Sequence, residues 1–408
     1  MSQSRQTHLD SLRGIAALIV VIVHYLEAFY PYTVFGSQGE YLQHSGWENI
    51  FFFPPFGLIS SGNFAVCLFF ILSGYVLSYS QLGEPLRVEK ILVLIVKRPI
   101  RLGGLVCFSI IIGSLLWYYG LFFNGEASHL TSSRPFFSNF WVGNFDSYKF
   151  FVNLATSAFS KGNLYNPPLW TIKIELYGSM MVYLFILLFG RFKFRIFVSI
   201  LLIFLFKNSL YQGFWIGLSL ADIMKNHTFR GLIKSQNTYY YLLLTLFIYF
   251  SSYPNYVNQE FLEGTIYRFL PDDKGFGGGY SMFSALLIFI LTLSNTRLQE
   301  HLNLPALQFL GGISYGLYVM HLLVIGSLSS WMFLILYDLL DYDFAFSIVF
   351  FSGLPVIILM AYLATKYIDT PAIKLAGYIG SKTIGLTALS PVRKLFLHAE
   401  KFITSRFT

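Results

Sequence analysis

An arginine and a histidine lie eleven residues apart in one apolar segment, LRGIAALIVVIVHYLEAF: Arg13 and His24. Eleven residues are about three helical turns, so both side chains share one helical face, roughly 16 Å apart along the axis. The segment is long enough to span a bilayer. It therefore predicts Arg13 at one mouth of the membrane and His24 near its middle. A buried imidazole is a functional candidate and could act as a general base toward a hydroxyl.

Two acidic residues could assist this histidine. Glu27 lies three residues beyond His24, close enough on a helix to orient it or to form a charge pair. Glu175 follows Lys173 inside the apolar segment LWTIKIELYG, where charges must face a helix bundle or a wet cavity. We interpret His24 and Glu175 as candidate catalytic residues, with Glu175 approaching His24 or an acceptor. The alternatives are a histidine satisfied by a hydroxyl or a buried water, and a structural pair between Glu175 and Lys173 or another span.

Further arginines belong to the segment KRPIR, in which Pro99 is expected to end one helix before the next begins. Guanidinium groups match the geometry of phosphates. Arg98 and Arg101, together with Arg13, are therefore candidates for binding a phosphorylated co-substrate. The alternative is the ordinary enrichment of basic residues at the cytoplasmic ends of membrane spans.

Polar residues interrupt two other apolar segments, FFILSGYVLSYS and GGISYGLYVMHLL. In the second segment the serine, the second tyrosine and the histidine share one helical face. We expect these side chains to support the site, or simply to form interhelical hydrogen bonds. The supporting candidates are Ser73, Tyr75, Ser314, Tyr318 and His321. No zinc-ligand spacing, nucleotide fingerprint or GxSxG motif is present in the sequence, so no metal site is predicted.

The elements that position these residues are membrane helices. Of the 408 residues, 55% are hydrophobic and 12% are charged, against about 25% charged residues in soluble domains. This composition predicts an all-α integral membrane protein. The apolar segments predict about ten transmembrane helices, near residues 13–33, 62–80, 102–123, 168–189, 194–207, 210–224, 237–253, 278–295, 307–330 and 344–366.

Basic residues alternate with this topology, which predicts a plasma (inner) membrane protein with both termini cytoplasmic. A charge of +8 that follows topology indicates the lipid bilayer as the partner and does not indicate nucleic acid. We expect one membrane domain over residues 1–371 and a basic, amphipathic cytoplasmic tail over residues 372–408. The long outer loops could shape an acceptor site. No oligomeric state is predicted.

The motifs LDSLRGIAAL, FFILSGY, KRPIR, LWTIKIE and ISYGLYVMH occur in an order that resembles the acyltransferase-3 family of integral membrane O-acyltransferases. The resemblance covers roughly residues 8–372. It implies transfer of an acyl group, most often acetyl, from cytoplasmic acyl-CoA to a hydroxyl of an extracytoplasmic carbohydrate or lipid-linked glycan. Acyl-CoA would be a co-substrate, and no permanently bound cofactor is implied. Some relatives carry a C-terminal SGNH domain, and this chain is expected to act without one.

The same resemblance assigns the Arg-ten-residues-His motif to Arg13 and His24, and the RxxR motif to Arg98 and Arg101. Many members have a second histidine beside the first. Tyr25 and Leu26 follow His24 here, so a mechanism that uses two neighbouring histidines is not expected.

A secondary transporter with an intramembrane His/Glu site is the main alternative function. Transporters often contain internal repeats, and none is visible in this sequence.

Overall fold

The computed structural model describes residues 6–37, 41–82, 88–156, 164–226, 239–273 and 277–387, with side chains as far as Lys382. Within these ranges the chain forms helices and loops and no β-strand. The helices of the bundle are α1 (Thr7–Phe29), α2 (Gly62–Tyr79), α3 (Val88–Tyr118), α4 (Trp170–Phe189), α5 (Arg195–Leu205), α6 (Tyr211–Lys225), α7 (Tyr240–Ser251), α8 (Gly279–Ser294), α9 (Pro305–Val324), α10 (Tyr342–Ala364) and α11 (Thr370–Thr387).

Length and hydropathy separate these helices into two groups. Among the described residues, six segments are long and apolar enough to cross a membrane: Thr7–Phe29, Gly62–Tyr79, Val88–Tyr118, Pro167–Phe189, Pro305–Tyr337 and Tyr342–Lys382. A seventh arises if α8 and the short helix Thr296–Leu302, which is bent by 99° from it, count as one span. The prediction of an all-helical membrane protein is confirmed. Ten spans remain a prediction, because α5 and α7 have only 11 and 12 residues.

Pro99 does not end a helix, contrary to the expectation from sequence. It lies inside α3, which continues for 31 residues. An internal proline removes one backbone hydrogen bond and strains the helix. Here α11 packs along α3 on both sides of the proline: a Cβ on Gly380 would lie 2.6 Å from Lys97, and one on Gly104 would lie 2.7 Å from Ala372. This tertiary packing holds the two halves of α3 in one helix.

Helix α10 continues into α11 through one π-helical segment, Thr365–Asp369. Pro371 is therefore an early residue of α11. The predicted amphipathic helix of the tail falls in residues 388–408, which lie outside the described residues. The division of the chain at residue 371 stays a prediction.

Candidate active site

Two glycines set the position of α1 against α9. A Cβ on Gly14 would lie 2.4 Å from the backbone nitrogen of Gly311, and a Cβ on Gly311 would lie 2.4 Å from the carbonyl oxygen of Asp10. The two backbones are in direct contact, as small residues permit between membrane helices. His24 and His321 each follow their glycine by ten residues, and their rings lie 4.8 Å apart. The helices are therefore parallel, and the glycine contact sets the register that pairs the histidines.

The same kind of backbone contact determines the tautomer of each histidine. His24 Nδ1 lies 2.8 Å from the carbonyl oxygen of Val20, and His321 Nδ1 lies 3.0 Å from that of Leu317. A carbonyl only accepts hydrogen bonds, so each Nδ1 carries the hydrogen and each neutral Nε2 presents a lone pair. The His24 side chain is 22% exposed, whereas His321 is fully buried. His24 thus presents a base to accessible space.

The residues that follow His24 in the sequence supply no second histidine, but the structure places one against it. This second imidazole, His321, comes from α9, nearly three hundred positions later in the chain. The placement of His24 near the middle of its span needs correction. His24 lies five residues before the end of α1, which is about 8 Å from that end.

Glu27 lies on the loop side of His24. Its Oε2 is 3.8 Å from His24 Nε2, on the next turn of α1. The residue is 7% exposed, and this oxygen has no hydrogen-bond partner among the described residues. Glu27 is therefore placed as the sequence predicted, close to His24, but beyond hydrogen-bond distance.

Four partly exposed aromatic residues from the connections that follow α1, α3 and α7 lie near this end of α1; we call Phe35, Tyr41, Phe136 and Tyr256 the aromatic collar. The ring of Phe136 lies 6.3 Å from that of His24. Phe35 is stacked on Tyr41 at 4.5 Å, and it lies 6.0 Å from Phe136 and 5.5 Å from Tyr256. The collar therefore forms the surroundings of His24 on the side away from the arginines.

Two acidic residues, the buried Glu48 and the partly exposed Asp343, hold the loop that carries Tyr41. Glu48 Oε1 accepts the backbone N–H groups of His44 and Ser45, at 2.5 and 2.7 Å. Burial raises the pKa of Glu48 to about 7. Asp343, at the start of α10, accepts hydrogen bonds from the hydroxyls of Ser45 and Tyr30. These contacts fasten the loop to both α1 and α10.

A cavity of about 670 Å³ lies on the other side of the histidine pair. All three predicted phosphate-binding arginines line it. Glu175 and the supporting candidates Ser73, Tyr75, Ser314 and Tyr318 line it as well. The structure thus brings together most of the residues that the sequence singled out, but it separates them from His24, Glu27 and His321, which are not part of this lining.

Glu175 forms an ion pair with Arg98, on α3, and accepts a hydrogen bond from Ser73 Oγ at 2.9 Å. Arg98 Nε also donates to Ser179 Oγ at 2.8 Å. Both charged side chains are largely buried, at 10% and 16% exposure. The expectation that Glu175 approaches His24 is therefore not met. The pairing with another span, the alternative stated above, is what the geometry shows.

The other two arginines of the cavity are not paired in this way. Arg13 and Arg101 have no hydrogen-bond or ion-pair partner among the described residues, and the carboxylates of Asp10 and Asp369 line the same cavity. Two uncommitted guanidinium groups that face one cavity can bind an anion such as a phosphate.

Tyr318 connects the cavity with the histidine pair. Its hydroxyl donates to the carbonyl oxygen of Pro168 at 3.0 Å and accepts from Thr171 Oγ1 at 2.8 Å. Its ring lines the cavity and lies 6.0 Å from the ring of His321. One layer of side chains therefore separates the arginine cavity from the imidazoles.

A sequence model of the acyltransferase-3 family, described as an acyltransferase domain, matches residues 7–366. The chain belongs to this family. The match runs from α1 to the end of α10, so every candidate site residue of this acyltransferase falls within it. Membership of an acyltransferase family favours an enzyme over the transporter alternative.

The acyltransferase is also similar to the curated O-acetyltransferase PaAT-1 of Phomopsis amygdali. The two are 28% identical over 223 residues, which covers 46% of this chain and 41% of the relative. The chain therefore spans less than half the length of that relative. No solved structure matches the chain.

Proposed function

We propose that this acyltransferase moves an acyl group, in the first instance acetyl, from acyl-CoA to a hydroxyl of an extracytoplasmic carbohydrate or glycan. One observation carries the proposal: the arginine cavity ends at Tyr318, one side chain away from a pair of histidines whose exposed member presents a lone pair. The family and the O-acetyltransferase relative support the reaction class. The donor and the acceptor are part of the proposal.

Arg13 and Arg101 would bind the phosphates of the donor, since their guanidinium groups face the cavity without partners. Arg98 adds charge nearby but is held by Glu175. We therefore assign Arg98 and Glu175 chiefly to shaping the cavity. The pantetheine arm would run along α1 and α9 toward Tyr318, which brings the thioester to the histidine pair.

At that position His24 Nε2 accepts the proton of the acceptor hydroxyl while the hydroxyl oxygen attacks the thioester carbonyl carbon. The new C–O bond forms, and the C–S bond breaks with its electron pair going to sulfur. The proton held by His24 then passes to the thiolate, which leaves free CoA and the ester. In a two-step variant the same Nε2 would carry the acyl group before the hydroxyl attacks.

The proposal places the arginine cavity at the cytoplasmic face of the plasma (inner) membrane and the aromatic collar at the outer face, with ten spans and both termini inside. Donor and acceptor would then reach the histidines from opposite sides. The alternation of basic residues along the sequence supports this orientation.

The His24→Asn variant tests the proposal, because an asparagine amide retains a donor near Val20 but has no counterpart of Nε2. We expect O-acylation to fall by about 100- to 10,000-fold, the range attributed to a general base. The measurement is mass spectrometry of envelope and secreted glycans from cells that express each variant, with protein levels and thermal unfolding compared.

The matched control is His301→Asn, because His301 makes the same ring contact, at 2.7 Å from the carbonyl oxygen of Arg297, on the exposed surface. It should acylate as the unchanged protein does. Full O-acylation by a folded His24→Asn protein would refute the catalytic assignment, and solute flux without any acyl-CoA would favour a transporter.

A further inference from the structure

The π-helical segment between α10 and α11 lies along the arginine cavity. Residues of this segment and of the turn after it contribute to the cavity lining: Thr365, Asp369, Thr370 and Ile373. Segments of π-helix are rare and are often found at functional sites. The segment therefore forms one wall of the cavity, and Asp369 gives that wall a carboxylate.

The carboxylate of Asp369 has no hydrogen-bond donor. The residue is 8% exposed, and its Oδ1 is buried without a partner in the part of the chain that the structure describes. Oδ2 accepts no hydrogen bond from the described residues either, and it is not covered in the way that Oδ1 is. Because the residue lines the cavity, Oδ2 is the oxygen that a ligand can reach. A buried polar group is normally satisfied, and an exception calls for an explanation.

Arg101 belongs to the same wall. The residue that follows it on α3, Leu102, accepts a hydrogen bond at its carbonyl oxygen from the hydroxyl of Tyr315, on α9, at 2.8 Å. This contact holds α3 against α9 at the level of the arginine. Arg101 and Asp369 are close enough to interact electrostatically, although no ion pair joins these two described residues. Both charged groups are therefore available to a ligand at the same place.

A carboxylate beside an anion-binding arginine weakens the binding of a simple phosphate. The two negative charges repel each other, and the repulsion is stronger in a partly buried cavity than in water. A ligand offsets this repulsion when it carries a hydrogen-bond donor next to its phosphate, because the donor then binds the carboxylate. Arg101 and Asp369 together therefore favour a phosphate that has a hydroxyl or amino group close by.

Acyl-CoA, the donor of the proposed function, carries a diphosphate at the start of its pantetheine arm and a separate 3′-phosphate on its ribose. Arg13 shares α1 with His24, so it suits the diphosphate, from which the arm runs toward the histidine pair. Arg101, on α3, is then left for the 3′-phosphate. The 2′-hydroxyl lies on the neighbouring carbon of the ribose. Carboxylates accept ribose 2′-hydroxyls in other nucleotide-binding sites.

We propose that Arg101 and Asp369 form a subsite for a ribonucleoside 3′-phosphate. Arg101 binds the phosphate, and Asp369 Oδ2 accepts a hydrogen bond from the adjacent 2′-hydroxyl. This inference rests on the proposed function and adds to it a residue, Asp369, that determines specificity on the donor side. It implies that a nucleoside 3′,5′-bisphosphate, which has no acyl arm, binds in the cavity and competes with the donor.

The test measures nucleotide binding to the purified full-length protein in lipid nanodiscs by isothermal titration calorimetry. The two probes are adenosine 3′,5′-bisphosphate and its 2′-deoxy analogue, which differ only in the hydroxyl. The unchanged protein should bind the ribonucleotide about 10- to 100-fold more tightly, as expected for a hydrogen bond to a charged group. Asp369→Ala should bind both probes equally. The deoxy analogue should bind this variant no more weakly than it binds the unchanged protein, because the repulsion is gone.

Asp369→Asn retains the shape of the side chain and a neutral acceptor, so a preference of about 2- to 10-fold should remain. The control is Asp10→Asn, which removes a carboxylate from the same cavity lining. It should raise the affinity for both nucleotides and leave their ratio as in the unchanged protein. Loss of the ratio in Asp10→Asn but not in Asp369→Ala overturns the assignment.

Equal affinity of the unchanged protein for the two probes, or binding of neither, also overturns the proposal. A purely structural role of Asp369 would lower the unfolding temperature of Asp369→Ala and weaken both probes by the same factor, so that the ratio stays; this result counts against the proposal as well. If neither Asp369 variant folds, the ratio in the unchanged protein decides alone.

The proposed function is judged separately, by acetyl transfer. It fails if His24→Asn acylates as fast as the unchanged protein, whichever nucleotides bind. If His24→Asn is inactive while the unchanged protein binds both probes equally, the proposed function stands and only the ribonucleotide subsite is refuted.

Discussion

The two sides of the histidine pair are built in different ways. On one side the arginine cavity is lined by side chains of long helices, and the largely buried charges of Arg98 and Glu175 neutralise each other. On the other side the aromatic collar comes from loops and short helical turns, and Glu27, the carboxyl beside His24, has one oxygen without a hydrogen-bond partner among the described residues. The arginine cavity, which is built from long helices, suits a ligand that does not vary.

Loops tolerate change better than helices do, and they often carry the groups that recognise a variable ligand. Under the proposed function the helical side binds the donor and the loop side meets the acceptor. The contrast between a helical side and a loop side therefore suggests that donor binding is fixed by the bundle and that acceptor choice is adjusted in the loops. Substitutions on the helical side and on the loop side should therefore have different effects on stability, on donor binding and on the preference between acceptors.

The largest effect is expected for Glu175→Gln, because it leaves the guanidinium of Arg98 buried without a counter-charge. Breaking a buried pair in this way costs about 3–5 kcal/mol of folding free energy. We expect a lower unfolding temperature in nanodiscs together with a changed KM for acetyl-CoA, since Arg98 lines the cavity.

Asp222→Asn is the comparison for that variant. It breaks another largely buried pair, between Arg195 and Asp222, whose side chains are 22% and 12% exposed. This pair is not part of the cavity lining, so stability should fall while KM stays unchanged. An equal KM change in both variants would show that the Arg98 pair has no special link to donor binding.

A smaller loss is expected for Gly311→Ala, which tests whether the glycine contact aligns the two sides. The added Cβ would meet the backbone of Asp10 at 2.4 Å, so α1 and α9 must move apart. A misplacement of about 1 Å costs on the order of 100-fold in rate. We expect kcat/KM to fall by about that factor for donor and acceptor alike.

The control for this variant is Gly103→Ala, where a Cβ meets no atom within 4 Å. Activity and unfolding temperature should stay near those of the unchanged protein. Normal activity of Gly311→Ala would mean that the histidine register is set elsewhere in the helix pair.

The smallest of these effects is expected for Arg101→Gln, which probes the donor side alone. Loss of one charge-assisted hydrogen bond to phosphate, on an exposed side chain, should raise the KM for acetyl-CoA by about 10-fold. The turnover number and the preference between acceptors should not change. Arg297→Gln, at an exposed arginine outside the cavity, is the control. An unchanged KM for Arg101→Gln would assign Arg101 to topology.

Local patterns in the sequence were sufficient to predict the helices and part of the candidate site. Each predicted apolar segment overlaps a helix of the structure, because hydrophobic runs at helical spacing form helices wherever they pack. The spacing of Ser314, Tyr318 and His321 correctly indicated one inward face of α9, where Ser314 and Tyr318 line the cavity and His321 is fully buried.

Contacts between distant parts of the chain could not be predicted from local sequence patterns. Arg98 and Glu175 are 77 positions apart, and nothing local indicates that one binds the other rather than His24. The persistence of α3 through Pro99 depends on packing by α11, which lies far along the chain. The aromatic collar was missed because loop residues have no periodicity. A signal for the histidine pair did exist, since Gly14 and Gly311 each precede a histidine by ten residues.

Under the proposed function, helix α1 also determines which donors can work. Arg13 and His24 lie eleven helical residues apart, which separates them by about 16 Å along the axis of α1. This distance is fixed, because stretching or shortening a helix breaks its hydrogen bonds. A donor must therefore be long enough to keep its phosphate at one end while its carbonyl reaches the other, a span that small acyl phosphates do not have. Inserting a single residue between the two would turn Arg13 about 100° around the axis, and donor and imidazole would then face different neighbours.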